Sequence, residues 1–159
     1  MRATVGFLLL IITLFAVAAI PTAAETQSVN ACSERVVNGG FEAGMTGWEP
    51  TTNGPFALVG PALPHTGALG AILGARNNAD DRLQQAITLP AGQTAMLRFW
   101  WHMLTEEPDH PWDTLEVTIK PAGAAESIRL LRITDGDVQG QWREAVISRS
   151  AYAGQAVEL

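Results

Sequence analysis

The chain has 159 residues but only one cysteine, one lysine and one tyrosine, and charged residues make up just 16% of it. Cys32 stands alone, so no disulfide can form within the chain and a packed core has to hold the fold. With ten basic residues against sixteen acidic, the net charge is −6, and Lys120 is the one lysine. An acidic surface repels phosphate backbones and anionic headgroups, which argues against nucleic acid or a lipid surface as partner. Internal repeats, low-complexity tracts and amphipathic helical periodicity are also missing. So are the enzyme motifs. There is no HExxH zinc spacing and no GxSxG or Ser/His/Asp order. No carboxylate pair is identifiable as a glycosidase pair. The chain is read as non-catalytic.

What is present begins with an export pattern. Arg2 gives a positive start, and Val5 to Ile20 is apolar but for Gly6 and Thr13. Pro21 and Thr22-Ala23-Ala24 then supply the small residues that a signal peptidase reads. The apolar run of 16 residues is short of the roughly 20 that a spanning helix needs. Residues 1–24 are therefore expected to be a signal peptide, helical and cleaved after Ala24, which makes the protein secreted or cell-surface. The remaining 25–159 carries nine basic residues against sixteen acidic and suits one domain with a proper core. It is expected to be monomeric. Residues 25–33 are small and polar, a linker. Val29-Asn30-Ala31-Cys32 loosely resembles a lipobox, but it sits well past the apolar run. A free or intermolecular thiol is the default for Cys32, with lipidation the alternative. Membrane contact is expected only through the signal peptide or such an anchor.

From residue 34 the pattern is short strands and turns. Val36-Val37 favours a strand, and Asn38-Gly39-Gly40 can take positive φ, so the chain can turn there. Phe41 and Trp48 are large enough to fix that turn to a core. Between them Glu42 is solvated, paired or holding a cation. Asn53-Gly54-Pro55 is a turn, Phe56 to Val59 a short strand, and Pro64-His65-Thr66-Gly67 another break. Ala68 to Leu73 reads as a buried strand. From Arg82 to Leu89 the residues alternate, with Leu83, Gln85, Ile87 and Leu89 on one parity.

The strongest strand is Met96 to Leu104. Successive side chains of a strand point to opposite faces, so Leu97, Phe99, Trp101 and Met103 meet the core while Arg98, Trp100 and His102 face away. Asp113 to Lys120 places Leu115, Val117 and Ile119 inward and Glu116 outward. Ser127 to Thr134, Trp142 to Ser148 and Ala156 to Leu159 complete the set. Nine or ten short strands with turn signals every 8–12 residues predict an all-β sandwich over 34–159.

These residues also carry a family resemblance. Asn38-Gly39-Gly40-Phe41-Glu42 with Gly47-Trp48 resembles the start of extracellular jelly-roll modules, among them galactose-binding-like carbohydrate-binding modules and MAM-type domains. The ordered set that follows runs from Leu83 to Pro90, through Leu97-Arg98-Phe99-Trp100-Trp101 and Asp113 to Val117, to Trp142 and Ser150 to Val157. It resembles the bacterial domains appended to secreted immune-inhibitor-type proteases and to anchored surface proteins. The resemblance covers 34–159 and implies a jelly-roll sandwich of two antiparallel sheets. It also implies a structural calcium ion near the first strand, with Glu42 at the matching position. The pattern departs from the family at Val157-Glu158-Leu159, where such modules go on to a strand with an acidic pair before a Val. The domain is accordingly expected to lack its last strand and to leave an open edge, unless another segment completes it.

Sugar binding needs an aromatic face for the pyranose and polar groups for its hydroxyls. Trp100 with Arg98, His102 and Glu116 supplies these if their two strands are neighbours; the alternative is that this face is covered. Trp112 is a second stacking candidate. His102, Glu106, Glu107, Asp109 and His110 are ligand-type residues close in sequence, although charge-rich loops are usually just solvated. The expected function is a non-catalytic secreted or cell-surface module that binds an extracellular glycan or other surface ligand. The alternatives are a structural or adhesion domain of a larger protein, or an accessory fragment of a secreted hydrolase.

Overall fold

The computed structural model describes residues 32–106, 109, 111–137, 139–148 and 150–159, and the backbone of 6–9. Among these residues there is no α-helix. The strands are β1 (Gly6–Leu9), β2 (Glu49–Thr52), β3 (Val59–Gly60), β4 (Gly70–Leu73), β5 (Asp81–Gln84), β6 (Ala86–Thr88), β7 (Met96–Met103), β8 (Thr114–Pro121), β9 (Ile128–Thr134), β10 (Arg143–Ser148) and β11 (Ala156–Glu158). A 3-10 turn spans Ser150–Tyr152. All pairings are antiparallel and make three sheets, ordered β10-β7-β1-β4-β3, β6-β11-β8-β9 and β2-β5.

The alternation of β7 decides the core. Leu97, Phe99, Trp101 and Met103 are all buried and pack with Phe41, Trp48, Val36 and Ala71. Ile133 of β9 joins the same cluster, and Leu115 and Val117 of β8 pack against it, so the five-stranded and four-stranded sheets share one apolar interior. A fully buried aromatic side chain contributes about 3 kcal/mol, so this cluster dominates the favourable side of folding. A second cluster, Ile87, Leu89, Ala95, Ile119 and Val157, closes the end of the molecule where β6, β11 and β8 meet.

Several expectations are corrected. Val36-Val37 is not a strand. Val36 is buried and Val37 is exposed, and the backbone there turns. The side-chain amide of Gln85 takes the place of a strand partner: it accepts from the Val37 N–H at 2.7 Å and donates to the Val37 carbonyl at 2.9 Å. Nor do Gly39 and Gly40 supply the positive φ of the turn. Asn38 (φ 54°) and Phe41 (φ 61°) do. Asn38 tolerates this region and holds the loop with its own amide, donating to the carbonyls of Gly44 and Thr46 and accepting from the Ala43 N–H. Phe41 is held there by complete burial beneath Trp48, ring centroids 5.2 Å apart. Such a residue is strained, and the packing around it has to offset on the order of 1 kcal/mol.

The alternating stretch 82–89 is two strands, broken at Gln85. Residues 49–52, where the sequence gives no strand signal, form β2, paired with β5 along Glu49–Thr52. Most of 1–24 lies outside the described residues. The four that are described form a strand where a leader helix is expected, and β4 and β7 supply main-chain partners on both sides of it. The linker 25–33 is described only from Cys32, which is exposed.

Candidate functional site

The outward side of β7 was the expected binding face. Trp100 is half-buried there, and the loop after β3 lays His65 flat against it, centroids 4.2 Å apart and planes 13° from parallel. Trp142, just before β10, meets His65 edge-on at 5.0 Å and His102 at 5.4 Å. The four rings form one contiguous aromatic cluster, stacked only at the His65–Trp100 pair. Arg98 is turned to β10, where its Nε lies 2.6 Å from a Glu144 carboxylate oxygen. In the β7–β10 register Arg98 faces Val146 and Glu144 faces Trp100, so this is a diagonal cross-strand pair. Both groups keep solvent contact, which limits its contribution to about 1 kcal/mol or less.

His102 is buried, and its Nδ1 has no hydrogen-bond partner among the described residues. Burial pushes its pKa below the ordinary imidazole value, and a hydrogen bond to the Gly140 backbone pulls partly the other way. Glu116 is not on a strand paired with β7, although it and His102 line one groove. β7 and β8 belong to different sheets, and Glu116 is engaged on β9, 2.8 Å from Arg129 and 3.8 Å from Arg132. The arrangement joining Trp100, Arg98, His102 and Glu116 therefore does not form, because the two strands are not adjacent.

Trp112 has the opposite surroundings. It is 74% exposed. Its backbone is nevertheless fixed, since its N–H donates at 3.0 Å to a carboxylate oxygen of Asp135, which is fully buried. The Asp135 N–H in turn donates to the Asp113 carbonyl at 3.1 Å, and the Asp135 carbonyl accepts from the Gln139 side chain. The buried carboxylate fixes the main chain at Trp112, and the indole it carries is exposed.

Trp112 stands at the edge of a groove of about 820 Å³. β5 and β8 form its walls, with Arg132, Glu116 and Thr114 among the polar groups and Phe41, Leu97 and Met103 at depth. Its size falls within the range of ligand sites.

Glu42 acts on the backbone. Its carboxylate accepts from the N–H groups of Ala68, at 2.9 and 3.1 Å, and Leu69, at 3.0 Å. Gly67 (φ 73°) precedes them, and a Cβ there would collide with the Glu42 carboxylate. Calcium takes six to eight oxygens. Both carboxylate oxygens already accept amide protons, and no group of three ligand-type side chains stands together among the described residues. The side chains around Glu42 do not by themselves make a calcium site. Glu107 and His110 of the loop after β7 lie outside the described residues, so the metal reading of that loop has no described geometry.

Three of these features escaped the sequence reading. His65 lay in a stretch read only as a break. Asp135 sat in an ordinary Asp-Gly turn. Gln85 did leave a signal, as the one polar residue on the inward parity of 83–89. Comparison with known proteins finds no matching family model, no similar curated protein and no similar solved structure.

Proposed function

We propose that the domain is a non-catalytic, exported binding module of jelly-roll type, with carbohydrate as its ligand and Trp112 as the stacking platform. The observation that carries this reading is the free face of Trp112, 74% exposed on an anchored backbone. Thr114, Glu116 and Arg132 line the same groove and offer groups for hydroxyls. An apolar ring in water is retained at a stability cost, and recognition of a sugar face would account for it. Export rests on the leader pattern at 1–24, and the jelly-roll topology rests on the family resemblance.

The test is a glycan and polysaccharide panel with the full chain, with and without calcium, beside Trp112→Ala and Trp100→Ala. Circular dichroism checks each fold. Binding is expected to weaken at least about ten-fold in Trp112→Ala and to persist in Trp100→Ala. A folded protein that binds nothing on the panel would sink the carbohydrate reading. Loss in Trp100→Ala alone would move the site to the β7 face.

A second reading, a structural or adhesion domain packed against a neighbour, is favoured by the His65 ring lying over Trp100. A covered indole on the outward sheet face is what a packing role requires.

A further inference from the structure

The groove beside Trp112 runs along β8. Leu159, which exchanges both main-chain hydrogen bonds with Gln85 at 3.0 Å, lines one end of it, and Trp112 stands at the other. Charge is spread unevenly between these ends. Between Arg98 and Arg129 the chain has Lys120 as its one lysine or arginine, and residues 133–142 contain neither. Trp112 belongs to the first of these stretches, and its N–H is held by Asp135 of the second. Its own loop brings Glu106, Asp109 and Asp113, and the turn that anchors it brings Asp137. The chain spans at most about 3.6 Å per residue, so the Cα atoms of Asp109 and Asp113 lie within about 11 Å of that of Trp112.

None of these four carboxylates belongs to an ion pair among the described residues. Glu106 and Asp109 are exposed. Asp113 accepts from the Thr105 hydroxyl at 3.4 Å. Asp137 accepts from the Thr134 N–H at 2.8 Å and from its hydroxyl at 3.0 Å, which holds the carboxyl below its ordinary pKa and keeps it charged. The cations of the groove are engaged elsewhere. Arg132 lies 3.8 Å from Glu116 and Arg82 lies 3.9 Å from Asp80. Arg76 donates to the Asn53 carbonyl at 2.5 Å, and Lys120 sits opposite Glu158 at the Leu159 end.

We propose that the sugar selected here is a basic one: an amino sugar with a free ammonium group, its ring on Trp112 and its charge among Glu106, Asp109, Asp113 and Asp137. The inference rests on the carbohydrate reading of Trp112 and narrows it. The indole and the groove make the site; the carboxylates choose among the sugars that fit it. An ammonium group is drawn to the face of an indole. Carboxylates within the screening distance of about 8 Å in physiological salt add to that attraction. The net charge of −6 draws a cation in from further away. A uronic or sulfated sugar meets repulsion from the same groups, and a neutral sugar gains nothing from them.

The test is calorimetric titration of the full chain at about pH 6, where amines are protonated and ordinary carboxylates ionised. The probes are glucosamine oligomers, the same oligomers N-acetylated, and oligogalacturonate. Acetylation removes the charge and keeps the ring. The amino form is expected to bind at least about ten-fold more tightly than the acetylated form at low salt, with the ratio shrinking as salt is raised. Glu106→Gln combined with Asp109→Asn changes two exposed side chains outside every ion pair among the described residues, and should lower that ratio several-fold. Trp112→Ala should weaken the amino form at least about ten-fold. Circular dichroism checks both folds. Equal binding of the amino and acetylated forms, or tighter binding of the acetylated or the acidic one, would overturn this inference and leave the carbohydrate reading standing. Binding of the amino form that survives Trp112→Ala would also overturn it, because an acidic surface alone then attracts the oligomer. No binding of any of the three would overturn it too, and only failure across the wider glycan panel would sink the carbohydrate reading with it.

Discussion

Two gaps in this fold have similar walls and different contents. Between β4 and β7, Gly6–Leu9 pairs on both sides, with Phe7 opposite Ile72 and His102. Between β5 and β8, no strand pairs with both edges among the described residues. Both gaps are bordered by inward apolar residues. At the filled gap Ala71, Trp101 and Met103 are buried. At the open one Leu83, Leu115 and Val117 are only half-buried. The inserted strand pairs both edges of the filled gap, although Leu73 beside it is half-buried like the walls of the open one. The filled gap depends on residues that the sequence reads as a cleaved leader, so export would leave the molecule with two open gaps in place of one.

The largest effect should come from making the filled gap like the open one. Removing residues 1–24, as cleavage after Ala24 would, deletes β1 and its ladders to β4 and β7. At about 1 kcal/mol per main-chain hydrogen bond, the loss should be on the order of 4 kcal/mol. Urea unfolding of the full chain against 25–159 measures it. Equal stability would mean that β4 closes directly onto β7 and that β1 contributes nothing.

Next in size is the residue that fastens the closed end of the open gap. Gln85→Leu keeps the inward volume but leaves the Val37 N–H and C=O without their partner. Two part-buried main-chain groups left unpaired should cost about 2–3 kcal/mol, read as a lowered thermal midpoint. A change below about 0.5 kcal/mol would show that water replaces the amide freely.

How far the sequence foretold this comparison can be argued from the residues on either side. β7 and β8 were legible because each has a buried face, and alternation records that burial directly. β2 was not: its four residues are all exposed, so nothing apolar marks it, and only its register with β5 makes it a strand. At β1 the sequence leaves two readings open, because an apolar run suits a leader helix and a buried strand equally well. The site followed the same rule. Trp100 and Trp112 are alike as letters. Which of them is covered depends on His65, 35 residues before Trp100, and on Asp135, 23 residues after Trp112. The parity argument placed Trp100 on the outward face, but it carries no information about a loop folding over that face.

A smaller effect tests the loop that carries His65 to the β7 sheet. Glu42→Gln keeps the shape but weakens the acceptors of the Ala68 and Leu69 amides. Hydrogen bonds to a charged group exceed neutral ones by roughly 1 kcal/mol, so stability should fall by about that much. Faster exchange of the Ala68 and Leu69 amides, confined to that loop, would place the effect there. A loss spread over both sheets would contradict a local clamp.

The smallest expected effect ties pH to the filled gap. Burial holds the His102 pKa below its ordinary value, so the unfolded chain binds this proton more readily than the folded one. Stability should therefore fall as pH drops below about 6.5, the unfolded value, and level off once the folded-state pKa is passed. Glu34 has the opposite sign: burial raises its pKa, so its contribution is complete below the unfolded carboxylate value and is lost as pH rises through the folded one. The two contributions run in opposite directions with pH, and the difference between the wild-type chain and His102→Gln isolates the histidine. That difference should slope as pH falls below about 6.5 and be flat well above it. His102 lies opposite Phe7 in the register of β1, so the same comparison made in 25–159 should show a shallower slope, because the ring is then open to water. An equal slope with and without residues 1–24 would mean that Trp142 and the Gly140 carbonyl, not β1, keep the ring dry.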